Sequence, residues 1–239
     1  MKLMFNIYNS SNTDMKEIRV GSISLVLSSP AYNCGGKFEN WVDLVPFQEY
    51  KAYVTAVLSE CNRVLQNDGF MIMEISDTSY DGAGNYHGVA GLYGAISRQL
   101  GLSLVSRHYA MTSRDEQGYE TPEHRWSDDY VSTAPNHSPT HQILVFRKGD
   151  YEFEMESCKV LHYTYPSDEE GHPCPFSMGL VKFVLDQYYQ GGVVLDPCCG
   201  TARLGREVLK RGGSFVGYDI SETYCRTARE LLEEVEGTL

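Results

Sequence analysis

The sequence predicts an α/β fold: a doubly wound, mostly parallel sheet with helices on both faces. Three observations carry this. Compact apolar runs alternate with segments of helical periodicity along the chain. Two of those runs end in small-residue or proline turns, as strands do where a parallel sheet opens onto ligand. The length, 239 residues, suits one α/β domain carrying a modest insertion.

The elements follow in order. Residues 22–28 form a short β-branched and apolar run through Ile23, Leu25, Val26 and Leu27, stopped by Pro30, which reads as a buried strand. Residues 47–66 repeat apolar side chains at Tyr50, Tyr53, Val54, Val57, Leu58, Cys61, Val64 and Leu65, the spacing of an amphipathic helix. Asn67-Asp68-Gly69 is its expected stop, and 70–75 a second compact strand. Residues 87–100 read as a helix ended by Gly101, and 102–106 and 142–147 as strands. Between those strands, 109–141 is polar, proline-containing and without periodicity, the character of a functional or mobile segment. The pattern then restarts: a helix over 176–189, a strand over 193–195, a helix over 202–211, a strand over 214–218 and a helix over 221–236 with Ser221 as N-cap.

Composition narrows the class. With 42% hydrophobic and 22% charged residues, and no apolar run near the ~20 residues that span a bilayer, a soluble cytoplasmic protein is expected. The seven cysteines include no Cys-x-x-Cys pair, which indicates free thiols rather than a disulfide framework or zinc site. No histidine spacing suggests a metal. The formal net charge of −12 counts against a nucleic-acid partner as a whole-chain average. Arg107, Arg114 and Arg125, with interleaved aromatics, leave room for a local basic face. Scattered solvated charges are the alternative.

Residues 193–205, Val-Val-Leu-Asp-Pro-Cys-Cys-Gly-Thr-Ala-Arg-Leu-Gly, read as strand, small-residue turn and helix. Gly200 lets backbone approach a ligand, and Gly205 permits close helix–sheet packing. Asp219 ends the next strand, 19 positions after Gly200, where an acidic side chain can accept hydrogen bonds from ribose hydroxyls. There is no Gly-x-Gly, so a nucleoside ligand without pyrophosphate fits better than a dinucleotide. A plain βαβ turn is the alternative.

Ser29-Pro30-Ala31-Tyr32 also follows a buried strand. The Ser29 hydroxyl and the carbonyl of Pro30 can accept amino hydrogens, and Tyr32 offers a face on which a flipped-out base can stack. An exocyclic amino nitrogen is a poor nucleophile because its lone pair is delocalised into the ring. Two acceptors on its hydrogens favour a tetrahedral nitrogen and free that pair for in-line attack. Positioning and electrostatics then supply the rate.

On these two segments the chain resembles the DNA amino-methyltransferases, whose catalytic motif is Asp/Asn/Ser-Pro-Pro-aromatic and whose cofactor motif is Asp-Pro-Phe-x-Gly-x-Gly. The catalytic segment comes first, the order of the permuted beta class. Arg63-Val64-Leu65-Gln66-Asn67-Asp68-Gly69-Phe70, Gln142-Ile143-Leu144-Val145-Phe146-Arg147-Lys148-Gly149 and His172-Pro173-Cys174-Pro175-Phe176 resemble further segments in that order. The resemblance spans nearly the whole chain outside about 80–140. It implies a circularly permuted, Rossmann-like methyltransferase fold with a seven-stranded-type sheet, in a single domain over 1–239. It implies S-adenosylmethionine as cofactor, held by Asp196, Pro197, Cys198, Gly200, Thr201, Asp219, Ile220, His172 and Phe176. Ser29, Pro30 and Tyr32 would be catalytic. Asn33, Lys37, Arg107, Arg114 and Arg125 would contact double-stranded DNA, with 80–140 for target recognition. A homodimer and a cognate restriction endonuclease are partners such enzymes have.

Serine at 29 and the His-Pro-x-x-Phe segment resemble the cytosine-N4 members more than the adenine-N6 members. Three departures stand out: Ala31 for the second proline, Cys198-Cys199 for bulkier residues, and Asn9-Ser10-Ser11 for Gly-Asp-Ser. Two other functions stay open: a methyltransferase of RNA or protein amides, disfavoured by the motif order, and a catalytically weak cofactor- or DNA-binding relative.

Overall fold

A computed structural model describes residues 5–39, 41–76, 78–80, 85–114, 140–150, 157–165 and 171–238. The strands are β1 (Phe5–Asn9), β2 (Ile23–Ser28), β3 (Gly36–Phe38), β4 (Trp41–Asp43), β5 (Leu65–Ser76), β6 (Thr78–Tyr80), β7 (Tyr86–Gly88), β8 (Leu102–Arg114), β9 (Thr140–Lys148), β10 (Val160–Tyr165), β11 (Val193–Asp196) and β12 (Ser214–Asp219). The helices are α1 (Phe47–Val64), α2 (Val89–Gln99), α3 (Met178–Tyr188), α4 (Arg203–Lys210) and α5 (Glu222–Thr238).

Among the described residues the main sheet has eight strands, ordered β1-β12-β11-β2-β5-β9-β8-β10. The first five run parallel; β9 is antiparallel to β5 and β8, and β10 lies parallel to β8. The mostly parallel, doubly wound sheet expected from the sequence is therefore present, with β10 as an eighth strand beyond the seven expected.

Alternation along each strand feeds two cores. Val194 and Phe215 turn into a cluster with α3, α4 and α5. Their neighbours Leu195 and Val216 turn into a second cluster with α1 and α2. Because both faces are covered, β2, β11 and β12 are near-continuous apolar runs.

This topology positions the site. β11 and β2 are adjacent and parallel, and the chain leaves them in opposite directions, β11 through α4 to β12 and β2 through α1 to β5. Their junction is a topological switch point, where the carboxyl ends of strands leave a crevice. The loop after Ser28 and the turn after Asp196 both open there.

Several boundaries differ from the sequence reading. α1 ends at Val64, and Asn67-Asp68-Gly69 is not a helix stop but part of β5. The pairing jumps from Ile23↔Leu65 to Leu25↔Phe70, so those polar residues form an irregularity with Asp68 at φ 64°. α2 starts at Val89, because Tyr86–Gly88 pairs with β6 instead of joining the helix. β8 and β9 take 109–114 and 140–141 out of the stretch read as irregular; 115–139 lie outside the described residues. α5 carries the expected cap: Ser221 Oγ accepts the Tyr224 amide at 3.0 Å.

Candidate functional site

The turn after β11 is knitted to β12. The Cys199 amide donates to Tyr218 O (2.9 Å), and the Gly200 amide donates to Asp219 Oδ2 (3.0 Å). The Ser221 amide donates to Asp219 Oδ1 (2.8 Å). Asp219 therefore stands at the mouth of the turn with its carboxyl held by the backbone amides of Gly200, Ser221 and Ile220. Burial raises its pKa above the ordinary carboxylate value. Ile220, beside it, is 63% exposed, an apolar flank next to an acid. Ala202 closes the turn in left-handed backbone (φ 58°) before α4.

Asp196 is 1% exposed. Its Oδ1 accepts Ser28 Oγ (2.8 Å) and the Cys198 amide (3.0 Å), while Oδ2 is buried without a hydrogen-bond partner. Burial pushes its pKa up to about 7. Pro197 O accepts from Asn12 Nδ2 (2.8 Å), which also lies 3.0 Å from Tyr53 Oη and 3.2 Å from Cys198 Sγ.

The two cysteines have a packing explanation. A Cβ on Gly217 would lie 2.7 Å from Cys199 Sγ, so Cys199 fits against bare backbone and a larger side chain would not. Cys198 fills the space beside Asn12 and Tyr53, and burial holds its thiol up at about 12. Gly205 behaves as expected: a Cβ there would stand 2.5 Å from the Phe215 ring.

One pocket is lined by Ser29, Cys198, Cys199, Gly200, Thr201 and Arg203 together with His172, Cys174, Pro175 and Phe176. His172 lies directly on Gly200, where a Cβ would meet its imidazole at 2.8 Å, and its ring centroid is 4.6 Å from that of Tyr224. Arg203 Nη1 donates to Phe176 O at 3.2 Å, tying the 172–176 segment to α4.

On the other side of the pocket the loop after β2 is tightly held. Ser29 Oγ and Tyr32 Oη are 2.5 Å apart. Asp43, at the end of the β3–β4 hairpin, accepts the amides of Tyr32 (3.0 Å), Asn33 (2.8 Å) and Cys34 (3.2 Å). Tyr50 Oη donates to Ala31 O at 3.1 Å. The loop thus has outside supports where the expected second proline is absent. The hairpin also reaches the nucleoside side, where Glu39 accepts Ser221 Oγ (2.5 Å) and Thr223 Oγ1 (2.6 Å). Phe38 stacks on Trp41 and faces His172.

The fold therefore brings Ser29, His172, Phe176, Cys198, Gly200 and Thr201 to one pocket, with Asp219 bonded to its turn. Pro30 is buried beside them. Asn33 is fully buried, its side-chain amide donates to Val45 O and accepts the Val45 amide, and its backbone is left-handed (φ 58°), so it closes the loop. Lys37 is exposed on the hairpin. Arg107 is exposed on β8, opposite Leu144, with its guanidinium 5.5 Å from the Tyr109 ring. It lies three strands from β2, about 14 Å at ~4.8 Å per strand. Arg114 ends β8, on the same carboxyl edge of the sheet as Ser29. Arg125 lies outside the described residues. Sequence reading missed Asn12 and Glu39, whose partners are distant in the chain, and Asp43, whose partners are the amides of the neighbouring loop. An acidic residue closing a short hairpin directly after the loop is the one signal that was available.

Comparison with known proteins agrees with this geometry. DNA adenine methyltransferase YhdJ of Escherichia coli (strain K12) is 22% identical over 95% of this chain and 82% of its own. The structure superposes on PvuII DNA methyltransferase (cytosine-N4-specific) with TM-score 0.70 at 15% identity, covering 99% of this chain and 93% of the other. A DNA modification methylase of Thermus thermophilus, TTHA0409, complexed with S-adenosyl-L-methionine, gives TM-score 0.68 at 16% identity over 99% and 98%. The family model described as DNA methylase, for N6 and N4 amino-methyltransferases, matches residues 23–230, and the chain belongs to that family.

Proposed function

We propose that this DNA methylase methylates the exocyclic amino group of a base swung out of duplex DNA, cytosine N4 in preference to adenine N6. The observation that carries the reading is a shared pocket: Ser29, from the loop after β2, lines the same cavity as the Cys198–Thr201 turn after β11. The donor set fits S-adenosylmethionine. Gly200 offers bare backbone, Asp219 puts a carboxyl at the turn for ribose hydroxyls, Ile220 presents an apolar flank to an adenine ring, and the buried Asp196 oxygen suits a cationic ligand. When bound, this cofactor supplies a sulfonium methyl group for in-line transfer.

The chain's own residues do the rest. The Ser29 hydroxyl and the Pro30 carbonyl accept the amino hydrogens and free the nitrogen lone pair. Ser29 accepts best when it donates its own proton to Tyr32 Oη, which leaves both of its lone pairs for the substrate. Tyr32 carries the base on its ring. Serine at 29 and the His172–Phe176 segment support cytosine. Residues 80–140 form the recognition region, and Lys37, Arg107, Arg114 and Arg125 meet phosphates; the position of Arg114 on the catalytic edge supports this. A homodimer on a short duplex site suits the small size of that region.

Tritiated S-adenosylmethionine and duplex DNA test the assignment. Wild type transfers label to DNA and not to RNA or protein, and Tyr32→Ala and Asp219→Ala abolish transfer. Wild-type turnover in both variants refutes the site; label on RNA or protein alone refutes the substrate.

A further inference from the structure

The crevice continues past Ser29 along the sheet edge into buried polar groups that neither cofactor binding nor the Ser29 loop accounts for. Ser28 is level with Met73 on β5, Glu74 with Ile143 on β9, and Ser76 with His141. Glu74 lies two positions after Ile72 and so shares its face, the α3–α5 side to which Leu25 and Leu27 also turn. The side chains of Glu74, Ser76 and His141 therefore share the face onto which the Ser29 pocket opens. Glu74 and His141 are 1% and 6% exposed.

Their geometry is specific. His141 Nδ1 lies 3.1 Å from Glu74 Oε1. A carboxylate only accepts, so Nδ1 donates, and the bond fixes the imidazole's orientation. The ring stands edge-on to Tyr32, with centroids 5.5 Å apart and planes at 79°. Tyr32 in turn holds Ser29 Oγ. A chain of contacts runs from a buried carboxylate through an imidazole and a phenol to the hydroxyl proposed to accept the amino hydrogen. Burying an acid and a histidine in the centre of a sheet is costly without a return elsewhere. Here it packs a fixed imidazole against the Tyr32 ring.

We infer that His141, held by Glu74, is a positioning residue of the target-base site that acts through Tyr32. This rests on the proposed base methylation. A misplacement of order 1 Å costs up to ~100-fold in rate, so removing the ring contact should lower single-turnover transfer roughly tenfold or more.

A double-mutant cycle on the full chain reads this directly, with S-adenosylmethionine and duplex DNA saturating. His141→Asn keeps a donor for Glu74 but loses the ring. The expected result is a roughly tenfold or greater loss in wild type, less than twofold further loss in Tyr32→Leu, whose apolar side chain still offers the base a surface and leaves a slow but measurable single-turnover rate, and cofactor affinity unchanged within twofold. A purely structural role gives losses that add in the two backgrounds, and that outcome overturns the inference, as does wild-type transfer by His141→Asn. If His141→Asn does not fold, Glu74→Met, which removes the acceptor at similar volume, carries the same cycle, with the same two refuting outcomes. A wild-type chain that methylates no DNA defeats the underlying reading as well. Active wild type with additive or silent variants defeats this inference alone.

Discussion

The proposed role of Asp196 in holding the cofactor would make binding a proton-linked event. Its carboxyl is buried, one oxygen has no hydrogen-bond partner, and burial lifts its pKa from the ordinary 3.8 to about 7. At about 1.4 kcal/mol per tenfold change in proton affinity, ionising it in the folded chain costs at most about 4 kcal/mol. The folded-state pKa is raised, so the stabilisation is fully present below about pH 4 and is lost as pH rises through about 7. Without cofactor, lowering the pH from 8 to 6 should therefore raise Tm, and Asp196→Asn should flatten that slope. A cationic ligand reverses the preference by favouring the ionised carboxyl. Binding of S-adenosylmethionine should release about 0.9 proton at pH 6, falling to about half a proton at pH 7, with affinity rising as pH rises to about 8. Asp219, also shifted upward by burial, contributes in the same direction. Isothermal titration at pH 6.5 in buffers of differing ionisation enthalpy measures the proton count. Identical heats in all buffers for wild type, or undiminished release in Asp196→Asn, refute the reasoning.

Two further substitutions test the supports of the site. Gly205→Ala puts a Cβ about 2.5 Å from the buried Phe215 ring; overpacking of roughly 1–3 kcal/mol, partly offset by helix propensity, should lower Tm by about 2–8 °C in thermal unfolding. Asp43→Asn leaves one acceptor oxygen for three loop amides; hydrogen exchange at Tyr32, Asn33 and Cys34 should speed up and transfer should slow, with cofactor affinity within twofold of wild type.

The legible parts of the fold were those that burial makes repetitive. β2, β11 and β12 are buried on both faces and appear as apolar runs, and α1 shows its stripe because one face alone is wet. β1 and β10 are sheet edges with mixed polarity, and the two small hairpins have strands of three residues, so neither carries a period. Asn67-Asp68-Gly69 had the chemistry of a helix stop, yet pairing across β5 absorbed it as an irregularity. The cofactor turn and the Ser29 loop were legible because close backbone approach and loop direction demand particular residues at particular spacings. The pairing of Asn33 with Val45 was not legible, because a position beside Tyr32 says nothing of which way the amide points. Asn12, Glu39, Glu74 and His141 have partners far along the chain, and only the topology brings them together.

The measurement closest to the central claim is mass spectrometry of nucleosides from DNA of a host that expresses the chain, alongside a host expressing Tyr32→Ala. The proposed function predicts N4-methylcytosine in the first and its absence in the second. N6-methyladenine in place of N4-methylcytosine would keep the amino-methyl transfer and reject the cytosine preference. Neither modified base, with the chain folded and S-adenosylmethionine bound, would contradict the proposed function.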